Sequence, residues 1–219
     1  MEHFRTWVAD ACQEWGYPDP NDAFYASVVD RLGEATLSSI GLGLEKAIVK
    51  PEGLRFNVAR NQPHKGPYKW FSHRTGAKSP QVNWEYYIQV AYLVRIWEPC
   101  IRQELRPVFE DELMDLAVRR GKELIWCIEV KEKASQLKGL LSKLESLATD
   151  VDMRAADRGN DALRKAKYLV KQRPLFFSGI ANGLEKHFRA SFPGPTAFTL
   201  TEALPPVDVP SATLDGLQP

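Results

Sequence analysis

Phe4, Trp7, Val8, Ala11 and Trp15 recur at the spacing of one helical face, which predicts an amphipathic helix over residues 2–15. The run GYPDPND interrupts it. Pro20 suits the first turn of a following helix, because its missing N–H needs no partner there. Two helices are predicted across 20–50, with Gly41-Leu42-Gly43 as an irregularity. Periodicity is lost over 51–79, where Gly, Pro, Asn, Ser and His are scattered, so that stretch reads as loops with one short strand near Leu54–Val58. Ser79-Pro80 predicts the start of a long helix over 80–97, ended by Pro99, with a short helical segment over Cys100–Leu105. ELMDLAVRR and ELIWCIEVK flank Gly121-Lys122 and predict a β-hairpin. Leu137, Leu140, Leu141, Leu144 and Leu147 mark a helix over 134–148, and another is predicted over 157–171. PLFFSGIA reads as a strand, GLEKHFRASF as a helix and TAFTLTEA as a last strand.

This order predicts an α/β fold with a mixed central sheet flanked by helices. It also sets the expected organisation: a helical N-terminal extension over 1–50, a basic and aromatic loop segment over 51–79, a core over 80–203, and a Pro-rich, disordered tail over 204–219.

Composition narrows the classes. Hydrophobic residues make up 44% and charged residues 26% of 219, which is ordinary for a globular chain, and the formal net charge is only +1. No apolar run approaches the roughly 20 residues of a membrane span, and the N-terminal stretch lacks the apolar core of a secretory signal. Cys12, Cys100 and Cys127 are too far apart for a CxxC zinc pair or a disulfide framework, so a reducing, cytoplasmic setting is expected.

The chemistry concentrates in LIWCIEVKEK, residues 124–133, where an apolar strand runs into Glu129-Val130-Lys131. Side chains alternate along a strand, so Cys127, Glu129 and Lys131 share one face. With the turn centred near Lys122, Asp115 falls opposite Glu129, and two carboxylates stand about 5 Å apart at Cβ. Like charges so placed repel, and a divalent cation is the simplest compensation. Mg²⁺ takes oxygen ligands, typically one or two carboxylates with waters and substrate phosphate. Lys131 would project beside a metal-bound water. The plain alternative is a solvated surface hairpin.

Asp115, thirteen residues, then Glu129-Val130-Lys131 on a hairpin followed by an amphipathic helix resembles the PD-(D/E)xK nuclease superfamily. The resemblance covers 80–203 and implies a restriction-endonuclease-like fold. It further implies a Mg²⁺-dependent nuclease, with Mn²⁺ able to substitute, cutting nucleic acid as an endonuclease, DNA before RNA. Asp115, Glu129 and the Val130 carbonyl would hold the metal, and Lys131 would position the attacking water. Glu85 on the preceding helix matches a further acid of the family, and Gln136 a polar residue at the start of the following helix. Two departures stand out: Met114 replaces the motif proline, and Leu140 occupies the Tyr place of the RecB-like signature, which leaves the branch open.

From Gly53 to Trp84 no acidic residue occurs, while Arg55, Arg60, Lys65, Lys69, Arg74 and Lys78 are interleaved with Phe56, Tyr68, Trp70 and Phe71. Cations neutralise phosphates and aromatics stack on bases. Arg60, Lys65, Lys69, Trp70 and Arg74 are therefore the expected nucleic-acid contacts, the alternative being that the aromatics anchor a core. Arg164, Lys167 and Lys171 share a helix face that needs no partner. A protein partner or a homodimer through the N-terminal helices is the other expected association. A catalytically silent nuclease-like subunit of a larger complex is the alternative function.

Overall fold

The computed structural model describes residues 2–61 and 65–208. The chain divides into two compact units, Met1–Arg95 and Ile96–Pro219, with the division falling inside one long helix.

The first unit begins with α1 (Glu2–Trp15), α2 (Asp22–Leu32) and α3 (Glu34–Glu45). The side chain of Asn21, rather than Pro20, opens α2 by accepting the Phe24 N–H at 3.0 Å. The expected irregularity at Gly41–Gly43 is absent, because α3 runs straight through it. Gly43 is a packing contact instead: a Cβ there would lie 2.5 Å from Val94 Cγ2. Residues 49–82 carry the expected strand as β2 (Arg55–Val58); β1 (Val49–Glu52) and β3 (Tyr68–Lys69) join it in one sheet and β4 (Phe71–Ser72) and β5 (Gln81–Val82) form another, where loops and helix ends were expected. Their aromatics are the core of the unit. Trp70 is fully buried, stacked between Phe56 at 3.9 Å and Trp7 at 4.8 Å between centroids.

The long helix α4 spans Trp84–Arg102, starting four residues later than Pro80 suggests and passing through Pro99. Proline costs a helix one hydrogen bond, but Ile96 and Cys100 on either side are buried, and that burial outweighs the local preference. Past the helix end, Glu104 with φ +57° reverses the chain so that Leu105 N–H reaches the Cys100 carbonyl at 2.9 Å.

The rest of the second unit is a six-stranded mixed sheet with β6 (Arg106–Asp111), β7 (Met114–Arg120), β8 (Glu123–Lys131), β9 (Phe176–Ala181), β10 (Leu184–Ser191) and β11 (Thr199–Glu202) in the order β11-β10-β9-β8-β7-β6. Helices α5 (Ala134–Leu147) and α6 (Asp161–Gln172) lie between β8 and β9 in sequence. β8 and β9 are parallel, as a helical crossover requires, and the other pairs are antiparallel. A short 3₁₀ turn, Pro206–Asp208, falls in the region read as a tail, and the part of that region after Asp208 lies outside the described residues.

Two strands of this sheet differ from expectation. RPVFED forms β6, with Pro107 tolerated because β6 is an edge strand. The buried Asp111 carboxylate pairs with Arg119 at 2.7 Å and fastens β6 to β7. GLEKHFRASF is not a helix but β10, which pairs tightly with β9 through the two-residue turn Asn182-Gly183. Gly183 has φ +72°, the left-handed value such a turn calls for.

Leu140 and Leu144 of α5 and Leu163, Ala166 and Leu169 of α6 pack with Ala117, Cys127 and Phe177 in one cluster. Gly179 brings α5 down onto the sheet, since a Cβ there would meet Leu137 Cδ1 at 2.5 Å. Gly179 is also the parallel partner of Glu129, so the close approach of α5 occurs at the functional end of β8.

Candidate active site

The functional end of the hairpin depends on a bulge. The turn at Gly121-Lys122 pairs Arg120 with Glu123 and Arg119 with Leu124, but Val118 with Trp126, which leaves Ile125 as an extra residue. The ladder continues as Ala117 with Cys127 and Leu116 with Ile128. Extended by one pair, it sets Asp115 beside Glu129 on the α5–α6 face. Without the bulge, Asp115 would fall opposite Ile128 and point to the other side of the sheet.

Asp115 Oδ2 accepts the Val130 N–H at 2.6 Å and so takes over where the β7–β8 ladder ends. In an extended strand the N–H and C=O of one residue face the same neighbour, so the Val130 carbonyl also faces β7. Glu129 is fully buried, and an ammonium touches each of its oxygens. Lys131 Nζ lies 2.6 Å from Oε1 and Lys165 Nζ 2.6 Å from Oε2. The Lys131 contact is a hydrogen bond. The Lys165 contact is an ion pair, and the same ammonium also donates to the Leu113 carbonyl at 2.8 Å. Asp161, in the first turn of α6, lies 3.8 Å from Lys165 and 4.0 Å from Lys131 and is held by Arg164 at 2.8 Å.

Burial is the main force on the two carboxyls. It pushes Asp115 up to about 6 against the Val130 N–H and the two ammoniums, which favour its charge. It pushes Glu129 up to about 7, with repulsion from Asp115 adding to the rise and Lys165 and Lys131 opposing it. At the half-exposed mouth, the two lysines and Arg164 outweigh burial and lower the Asp161 carboxyl.

Lys165 is the residue that the sequence reading passed over. It sits between Arg164 and Lys167, which were read as a solvated face, but its own side chain is only 4% exposed. The available signal was a lysine inside the apolar stripe Ala162, Leu163, Ala166, Leu169. Arg164 and Lys167 have partners within their own region, Asp161 for the first and Asp157 with the Ala155 carbonyl for the second.

Gln136 is a helix cap: its Oε1 accepts the Lys133 N–H at 2.9 Å at the start of α5. Glu85 is exposed in the first turn of α4, within the first unit, whereas Asp115, Glu129, Val130 and Lys131 belong to the second. In the first unit Arg60, Lys65, Lys69 and Arg74 are exposed, while Trp70 is core and offers no open face to a base. His64 lies outside the described residues. Cys12, Cys100 and Cys127 are free and buried. No helix among the described residues is long and apolar enough to cross a membrane.

Among the described residues, no three His, Cys, Asp or Glu side chains are gathered as a metal-ligand group. What the site offers a cation is smaller: two adjoining carboxylates, one of them fully buried with the Lys165 ammonium on its Oε2, and a carbonyl on the same side. That donor set fits a hard divalent ion completed by water, the usual manner for Mg²⁺. Comparison of the chain with known protein families, curated proteins and solved structures finds no match.

Proposed function

We propose that the second unit is a restriction-endonuclease-like nuclease core of the PD-(D/E)xK type, hydrolysing phosphodiester bonds of nucleic acid, with DNA as the expected substrate. The observation that carries this reading is the meeting of Asp115, Glu129 and Lys131 at one end of the β7–β8 hairpin, through the Asp115–Val130 hydrogen bond and the Glu129–Lys131 pair. The order α4, β6, hairpin, α5, α6, β9 supports it, since it contains in sequence the helix, hairpin, helix and strand of the superfamily core.

Asp115 and Glu129, with the Val130 carbonyl, would hold Mg²⁺ or Mn²⁺. The bound ion would lower the pKa of a coordinated water and offset charge on the phosphate. Asp115 is held in place by the backbone of the strand that carries Glu129, so the two carboxylates move as one body. The Lys131 ammonium, at 2.6 Å from Glu129 Oε1, is placed to orient the nucleophilic water and to meet negative charge developing on the phosphate. Burial under α6 keeps bulk water from screening these charges. Arg60, Lys65, Lys69 and Arg74 supply exposed cations for the nucleic-acid backbone.

A second reading is favoured by one observation. Lys131 and Lys165 already neutralise Glu129 within the fold, as they would in a nuclease-like binding subunit that does not cut. Calorimetric titration with Mn²⁺ separates the two. The nuclease reading expects one ion per chain, lost in Asp115→Asn, together with EDTA-sensitive cleavage. Absence of both leaves the binding subunit.

A further inference from the structure

The nuclease reading gives no role to Lys165, which is buried, charged and in direct contact with a proposed metal ligand. Its side chain is only 4% exposed, and its ammonium lies 2.6 Å from Glu129 Oε2 and donates to the Leu113 carbonyl at 2.8 Å. Burying a lysine is expensive unless a counter-charge and hydrogen bonds compensate. Here the compensation is the same carboxylate that a divalent ion would need. Both oxygens of Glu129 are within 2.6 Å of an ammonium, so an ion approaching either one meets a like charge at contact distance.

We propose that Lys165 is a built-in competitor of the metal: it holds Glu129 when no ion is bound and must leave Glu129 Oε2 for a divalent cation to load. This inference rests on the nuclease reading and concerns how that site is regulated. The structure supplies a place for the displaced ammonium. Asp161 Oδ1 lies 3.8 Å from Lys165 Nζ, one turn earlier on the same helix and at the half-exposed mouth of the site. A shift of the lysine head from Glu129 toward Asp161 frees Oε2 and keeps the ammonium paired. Lys131 does not fit this role: it is more exposed than Lys165, and it hydrogen-bonds the other oxygen from the same strand. Metal occupancy would then depend on a side-chain exchange as well as on ion concentration, keeping the site closed at low divalent-ion levels.

The test is calorimetric titration of Mn²⁺ into the full chain, with melting temperatures in EDTA and in saturating Mn²⁺, for wild type, Lys165→Met, Asp161→Asn, the double variant and Asp115→Asn. Coupling energies between contacting charged groups predict that Lys165→Met tightens Mn²⁺ binding by about tenfold or more. It should lower the melting temperature in EDTA and recover most of the loss in Mn²⁺, because the ion replaces the missing charge. Asp161→Asn should weaken Mn²⁺ binding in the wild-type background and leave it unchanged in the Lys165→Met background. A Lys165→Met chain that folds only with Mn²⁺ supports the proposal equally. One that stays unfolded in saturating Mn²⁺ overturns it, since the lysine would then be indispensable rather than exchangeable. Equal or weaker Mn²⁺ binding by Lys165→Met, with binding still lost in Asp115→Asn, overturns the competition and leaves the metal site standing. No Mn²⁺ binding by wild type or by Lys165→Met overturns both.

Discussion

Asp115 Oδ2 accepts the Val130 N–H at 2.6 Å, so the carboxylate of one strand closes the hydrogen-bond ladder of the next at the residue between Glu129 and Lys131. Asp115 therefore has two separable duties, as a proposed metal ligand and as a backbone acceptor. Asp115→Asn keeps a carbonyl oxygen for the Val130 N–H and removes the buried charge. The variant is expected to abolish Mn²⁺-dependent cleavage while stabilising the metal-free chain at pH 7 by up to about 3 kcal/mol, since a carboxyl raised by roughly two units resists ionising by about that much. Asp115→Ala loses the acceptor as well and is expected to be less stable than Asp115→Asn by about 1–2 kcal/mol, the usual cost of an unsatisfied buried donor. Denaturant unfolding with EDTA measures both. If Asp115→Asn is much less stable than wild type, its negative charge supports the fold.

How much of this was visible in the sequence is clearest at the same two strands. Alternation along the hairpin placed Asp115, Glu129 and Lys131 on one face, and they lie there. That placement took the turn as centred on Lys122, whereas the two-residue turn at Gly121-Lys122 would by itself put Asp115 on the other face. The extra residue Ile125 restores the parity, and nothing in the apolar run LIWCI marks which residue is the bulge. The GLEKHFRASF segment misled because Leu184 and Phe188 are four apart, as on a helix. The deciding signal was the Asn182-Gly183 pair, which sets strand direction before any packing is considered. Trp70 was equally ambiguous: an aromatic among cations reads as a stacking platform until a core claims it. Lys165 was overlooked because its burial depends on α6 settling over Glu129, a contact 36 residues away in sequence that no local pattern encodes.

Asp115 and Glu129 give the metal-free protein an unusual pH dependence. Each carboxyl holds its proton to a higher pH in the folded chain, about 6 and about 7, than its ordinary 3.8 and 4.5. Between about pH 4 and 7 the folded state thus binds more protons than the unfolded one, and stability falls as pH rises through that window. The contribution is fully present below the unfolded values and lost above the folded ones. Asp161, with its lowered carboxyl, acts in the opposite sense and is lost only as pH falls below the ordinary Asp range. Thermal unfolding in EDTA should show a melting temperature declining from about pH 5 to pH 7.5, and saturating Mn²⁺ should flatten or reverse the decline. A melting temperature that rises with pH in EDTA contradicts the assigned burial.

Gly179 offers a purely structural check on how α5 is seated. A methyl group there would meet Leu137 Cδ1 at 2.5 Å and its Cγ at 3.3 Å, against a leucine with no exposed surface. Gly179→Ala is expected to cost about 1–3 kcal/mol through overpacking. Because Glu129 is the parallel neighbour of Gly179, Mn²⁺ affinity should weaken in the same variant. Unchanged stability would mean that α5 stands further from the sheet than the structure has it.

The exposed cations of the first unit test substrate binding separately from chemistry. Charge reversal at Arg60, Lys65 and Lys69 should weaken nucleic-acid binding and flatten its salt dependence, each lost phosphate contact lowering the logarithmic salt slope by about one. Trp70→Ala should not behave as the loss of a stacking platform. Trp70 is fully buried beside Phe56 and Trp7, so truncation should cost about 3–5 kcal/mol of stability in the manner of a core aromatic. Fluorescence anisotropy across a salt series, with parallel unfolding curves, reads both. An unchanged slope after triple reversal moves the binding surface elsewhere.

Lys131 separates an enzyme from a binding subunit. Its ammonium contacts Glu129 Oε1 at 2.6 Å and its side chain is one-fifth exposed, so it is anchored to the site and still within reach of a substrate phosphate. Lys131→Ala leaves Asp115, Glu129 and Lys165 in place. The fold should tolerate it, since Lys165 still neutralises the buried carboxylate, and Mn²⁺ binding should hold or tighten with one like charge gone. Loss of one preorganised electrostatic group typically costs on the order of a hundredfold or more in rate. If Lys131 acts mainly in the transition state, kcat should fall by about that factor with KM little changed. A KM effect alone would make Lys131 a phosphate anchor of a binding site. Single-turnover cleavage of single- and double-stranded DNA and RNA in Mn²⁺, against EDTA, supplies the comparison. Wild-type cleavage that persists unchanged in both Lys131→Ala and Asp115→Asn would place the chemistry outside this hairpin.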